Sequence, residues 1–336
     1  MSTHAIATAA PAGAAPSLHS TTPFLESNAF SARTGQQVWL KMEALQPTGA
    51  FKLRGIGYAC AEYHRRGAKR FISSSGGNAG IAAAYSGRKL GVPVLVVVPE
   101  TTSARARALI AREGAEILVH GATFHDAHAH ALALAGVGDA FIHPYDDPLL
   151  WEGHATMIDE IAATGVKPDA VVLSVGGGGL LAGVIAGLRR HGWDDVPVLA
   201  VETAGADALA QSLAAGRPVE LSAITSIATS LGARSIAPHA LKLAAEHPVR
   251  SVVVSDNDAV HGSMRFMDDH RVVTEPACGA ALAVAYQAGT LLAEFDKVVV
   301  IVCGGATATV AQLEQWSEIA ERRLGPREGK EPYHAN

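Results

Sequence analysis

The chain has 336 residues, of which 49% are hydrophobic and 18% charged, with a net charge of −5 at pH 7. That balance excludes a disordered chain, and the interspersed charges lack the Lys/Arg stripe that a nucleic-acid partner demands. No run approaches the ~18–20 apolar residues of a spanning helix, so no membrane partner is expected.

Residues 1–20 are rich in Ala, Ser, Thr and Pro, and Pro11 and Pro16 interrupt the apolar run with no basic segment ahead of it. They read as a disordered tail rather than a signal peptide. Beyond them, short β-branched runs at 37–42, 71–73, 94–98, 116–120, 170–175, 198–202, 251–254 and 297–303 alternate with helix-length segments. This alternation predicts an α/β fold of open, mostly parallel sheets with helices on both faces. The continuous apolar runs VVLSV and KVVVIV predict central strands covered on both sides. Residues 32–141 form their own strand–helix series and are expected as a small domain, with 21–31 and 142–326 forming the large one. Three cysteines, Cys60, Cys278 and Cys303, are widely spaced and free of C-x-x-C. They suggest neither a disulfide framework nor a zinc site, and fit a reducing cytoplasm.

Ligands of open α/β sheets lie beyond the carboxyl ends of strands, which directs attention to the loops there. The loop PTGAFKLRG puts Lys52 at the start of a helix, where the local field eases loss of its proton, as a Schiff-base amine requires. A solvated surface lysine is the alternative. The loop SSSGGNAG, at 73–80, offers hydroxyls and backbone N–H groups to an anion, although an ordinary helix cap has the same composition. Its Asn78 can both donate and accept. Gly176, Gly177, Gly178 and Gly179 follow VVLSV directly and open a helix. Four glycines exceed what a tight turn needs, and they point to a backbone-lined phosphate cradle. Cys303 in VCGG reads alone as a buried core thiol. His120, His125, His128 and His130 straddle strand, turn and helix, and read as a solvated face rather than a metal site.

In this order PTGAFKLRG, SSSGGNAG, VGGGGL and VCGG resemble the fold-type II pyridoxal-phosphate (PLP) enzymes, the tryptophan synthase β-like group, from about residue 21 to 324. DDPLLWEGHA, SVGGGGLLAGV, EPACGAALA and IVCGG resemble in particular its short cytosolic L-serine dehydratase/L-threonine deaminase branch. The resemblance implies a two-lobed fold, a homodimer, bound PLP and elimination of water from L-serine or L-threonine. Lys52 would carry the cofactor as a Schiff base and later remove the Cα proton, Phe51 would pack on the pyridine ring, and Asn78 would bond the phenolic oxygen. The four glycines would hold the phosphate, Cys303 would face the pyridine nitrogen, and Ser75, Gly76, Gly77 and Ala79 would surround the substrate carboxylate. A monovalent cation such as K+ would sit among Gly176, Glu202, Ala206, Leu231 and Ala233. Serine racemisation or β-replacement on the same scaffold is the alternative chemistry, and a non-catalytic amino-acid sensor the alternative class. Relatives of this branch carry alanine or serine where this chain has Gly76, so a wider pocket is expected there, and Tyr145 adds a hydroxyl where they have phenylalanine.

Overall fold

A computed structural model describes residues 17–287 and 291–324. The strands are β1 (Phe24–Glu26), β2 (Gln37–Lys41), β3 (Arg70–Ser73), β4 (Val94–Val98), β5 (Glu116–Val119), β6 (Asp139–Ile142), β7 (Ala170–Ser174), β8 (Val198–Thr203), β9 (Val249–Val254) and β10 (Lys297–Ile301). They form a six-stranded sheet ordered β1-β2-β10-β7-β8-β9 and a four-stranded sheet ordered β5-β4-β3-β6. All neighbours pair in parallel except β1 with β2. Parallel pairing needs long crossovers, and helices supply them.

Position in each sheet follows from sequence. VLVVV of β4, AVVLS of β7 and VLAVET of β8 are buried throughout, because helices cover both faces. Fully burying one Val or Leu side chain is worth ~1.5–3 kcal/mol, enough to hold such runs at the centre. EILV of β5 and VRSVVV of β9 keep exposed positions and lie at sheet edges.

Every predicted strand is present, with ends shifted by one or two residues, whereas β1 and β6 were not expected. β2 differs in placement: within the range 32–141 assigned to the small domain, it pairs instead with β10, Gln37 opposite Lys297. Its Val38 and Leu40 are buried in the core of the large sheet, a choice of sheet that strand order in sequence does not encode. Of the expected tail, residues 1–16 lie outside the described residues, but Ser20 is pinned: its N–H donates to Gln46 Oε1 (3.0 Å) and its carbonyl accepts from Gln46 Nε2 (2.9 Å). Residues 325–326 also lie outside them. Trp151 packs against both the large core and the core around β3 and β4, joining the two lobes.

Candidate active site

Lys52 begins the helix Lys52–Arg65. The preceding turn passes through Gly49 at φ +73°, in the left-handed region that favours glycine. It is stitched to the segment after β10, where Phe51 N–H donates to Cys303 O (3.0 Å) and Gly305 N–H to Gly49 O (2.9 Å). One turn on, fully buried Arg54 donates to Glu43 and Glu160 at 2.7 Å each. Held from both sides, Lys52 reaches to the segment after β6 and donates from Nζ to Pro144 O (2.6 Å). Burial lowers its amine to about 8, against the opposing pull of Cys303 and Glu275. The Phe51 ring centroid lies 5.1 Å from Nζ.

The four glycines connect β7 to the helix Gly179–Arg190. A Cβ would lie 3.0 Å from Leu231 Cα at Gly176, 2.3 Å from the Tyr145 ring at Gly177, 2.5 Å from Ala240 Cβ at Gly178 and 2.6 Å from Tyr145 O at Gly179. Gly178 also has φ +92°. Their carbonyls are partly used, with Ala237 N–H donating to Gly177 O and Ala182 N–H to Gly178 O. Among the described residues their N–H groups meet no acceptor. A cluster of free donors at a helix start is an anion site.

The serine loop joins β3 to the helix Asn78–Leu90. Ser75 Oγ accepts from Gly77 N–H (3.4 Å), and Ala79 is buried in the first turn. Asn78 bridges the lobes: its Oδ1 accepts from Ala306 N–H (2.9 Å) and its Nδ2 donates to Glu275 Oε1 (2.7 Å). The space expected beside Gly76 is not empty, since a Cβ there would lie 2.6 Å from the Thr102 side chain. Thr102, in the loop after β4, occupies the volume that the missing methyl leaves. The histidine face departs from expectation too: His120 and His130 stack at 3.8 Å, but His128 turns inward, Nδ1 2.9 Å from Ser74 Oγ.

Cys303 is 6% exposed, and its thiol is pushed well above its ordinary value by neighbouring Cys278 and by burial. Glu275, to which no role was assigned from sequence, caps the helix Pro276–Tyr286 and is also 6% exposed. Burial pushes its carboxyl up to about 7. Its sequence signal was a Glu-Pro pair opening an apolar helix. The five residues expected around a cation divide into two sets. The Gly176 backbone lies against Leu231, and Ala233 N–H donates to Leu231 O (2.7 Å). Glu202 instead accepts from Leu209 and Ala210 N–H at 2.8 Å each, and Ala206 N–H donates to Thr203 O in the adjoining turn. Burial pushes the Glu202 carboxyl up to about 7.

A lysine with an easily lost proton, a cradle of free N–H donors and a fixed carboxamide fit a phosphorylated aldehyde bearing a phenolic oxygen. Comparison with known proteins agrees. The human L-serine dehydratase/L-threonine deaminase is 46% identical over 312 residues, 90% of this chain and 95% of that protein. Mouse serine dehydratase-like protein is 48% identical over 314 residues, with the same shares. The solved L-serine ammonia-lyase of the fungus Rhizomucor miehei matches with a TM-score of 0.87 at 35% identity, covering 91% of this chain and 100% of that one. The family model described as pyridoxal-phosphate dependent enzyme spans residues 16–304, where Lys52, the glycine cradle and Cys303 all lie, and the chain belongs to that family.

Proposed function

We propose that the chain is a PLP-dependent ammonia-lyase that removes water from L-serine and L-threonine, giving pyruvate or 2-oxobutyrate and ammonia. The observation that carries this reading is the position of Lys52, whose amine is lowered to about 8 and held in one network with the Cys303 segment and Pro144. Similarity to the human and fungal enzymes supports the substrate class.

When bound, PLP supplies an aldehyde for the lysine and an electron sink for the electrons of the Cα–H bond. The free N–H groups of Gly176, Gly177, Gly178 and Gly179 would hold the phosphate, Phe51 would cover the ring, and Asn78 would donate to the phenolic oxygen. Ser75, Gly76, Gly77 and Ala79 receive the substrate carboxylate at the start of their helix. Lys52 removes the Cα proton, which its lowered pKa permits near neutral pH. Cys303 faces the ring nitrogen as a neutral thiol, so it does not hold a proton there as a carboxylate would. By leaving that nitrogen without a charged partner, Cys303 would favour departure of the β-hydroxyl over transamination. Gly176, Glu202, Ala206, Leu231 and Ala233 hold a monovalent cation such as K+ beside the cradle. The enzyme works as a cytoplasmic homodimer, a reading consistent with three buried free cysteines.

Incubation with L-serine and L-threonine tests the reaction: pyruvate or 2-oxobutyrate and ammonia are expected, and recovery of D-serine or a substituted alanine overturns the assignment. Lys52→Ala is expected to abolish the visible band of the bound cofactor and lower turnover at least about a hundredfold. A colourless wild-type chain that PLP does not reconstitute favours the sensor reading.

A further inference from the structure

Glu275 takes part in no step above, yet it is a nearly buried carboxyl whose side chain is hydrogen-bonded to Asn78. Its place is tightly set. Ser263 Oγ donates to its backbone carbonyl (2.9 Å), and a Cβ on Gly305 would fall 2.6 Å from its Cγ. Its Oε1 accepts from Asn78 Nδ2 at 2.7 Å, while Asn78 Oδ1 accepts from the Ala306 N–H at 2.9 Å.

These two partners determine which end of the carboxamide is which. The Ala306 backbone N–H only donates, so flipping Asn78 would set donor against donor there, and against an ionised Glu275 it would also set acceptor against acceptor. The NH2 group has two protons and spends one on Glu275. The other remains for a ligand, and the bond to Glu275, charge-assisted when that carboxyl is ionised, stiffens the group that offers it. The Asn78–Glu275 pair also spans the lobes, since Asn78 opens the helix after β3 and Glu275 the helix Pro276–Tyr286.

We infer that Glu275 is a positioning residue that, with the Ala306 N–H, holds the Asn78 carboxamide in the one orientation that offers an N–H to the phenolic oxygen of the cofactor. The inference rests on the role given to Asn78 in the reading above.

The test compares Glu275→Ala, Glu275→Gln, Asn78→Ala and the double variant Glu275→Ala/Asn78→Ala with wild type, each titrated with PLP. Affinity and the balance between the long- and short-wavelength bands of the bound cofactor are the readouts. Glu275→Ala should weaken PLP binding about tenfold and shift the bands in the same direction as Asn78→Ala. Glu275→Gln keeps an acceptor for Nδ2 and should retain the wild-type band balance. The double variant should be no worse than Asn78→Ala, because the two residues act as one unit. Wild-type bands in Glu275→Ala, a Gln variant as impaired as the Ala variant, or additive losses in the double variant would each overturn the inference alone. Glu275→Leu, closer in volume, replaces the alanine variant if that one fails to fold. A wild-type chain without any cofactor band overturns the reading of the site and the inference together.

Discussion

Two loops at equivalent places in two sheets are built differently. Each follows a parallel strand and opens a helix, the glycine loop after β7 and the serine loop after β3. At all four positions of the glycine loop a Cβ would strike backbone or packed side chains, while at Gly77 of the serine loop it would meet nothing within 4 Å. A loop walled in on every side has one shape and suits a group that stays bound. A loop with open space in front of it suits one that enters and leaves each turnover. On the reading proposed above, the same anion-binding device would serve as a permanent cradle in one lobe and an exchange site at Gly77 in the other.

The contrast breaks most visibly at Gly178. Alanine there must adopt φ +92°, which costs ~1–2 kcal/mol, and its Cβ would lie 2.5 Å from Ala240 Cβ and 2.7 Å from Ile236 Cδ1. Gly178→Ala is expected to lower the melting temperature by about 5 °C or more and to weaken PLP binding at least about tenfold. Thermal melts of the chain with and without PLP measure both. A variant that melts and binds as wild type would mean that the glycine loop is as tolerant as the serine loop.

Between the loops stands Lys52, and pH sharpens its part. A base lowered from 10.5 to about 8 loses its proton at lower pH than free lysine. About a tenth of it is neutral at pH 7 and about nine-tenths at pH 9. The rate at which the PLP-free protein captures PLP is therefore expected to climb about tenfold per pH unit below 8 and to flatten above it. Stopped-flow absorbance follows the capture. A rate still climbing steeply beyond pH 9.5 would show an ordinary, solvated amine.

How much of this could be read from sequence depends on how far each partner lies along the chain. Lys52 and the four glycines were legible because their demands are local: a turn, a helix start, a run of residues without side chains. The buried runs of β7 and β10 were legible for the same reason. Glu275 was not, because its partner Asn78 is 197 residues away and the two meet only once the sheets are ordered. Thr102 was missed beside Gly76 on the same ground, since the two come from loops after different strands. The pairing of β2 with β10 joins residues from opposite ends of the chain, and no local pattern announces it. His128 looked solvated because no local pattern places Ser74, 54 residues away, beside it.

The smallest effects belong to the open side, where neighbouring glycines should behave differently. Alanine at Gly77 is accommodated by the fold, since its φ of −113° lies outside the left-handed region and its Cβ faces open space. The new methyl enters the volume that the substrate carboxylate uses. kcat/KM for L-serine should fall about tenfold with an unchanged melting temperature. At Gly76 the methyl meets the Thr102 side chain, with Cγ2 and Oγ1 at 2.6 Å and Cβ at 3.2 Å, a loop residue that must shift to admit it. Gly76→Ala should change kcat/KM less than about threefold, with a shift in the ratio of L-threonine to L-serine turnover as its main trace. Parallel kinetics on both substrates decide the matter: a larger loss at Gly76 than at Gly77 would place the substrate against Thr102 rather than at the helix start.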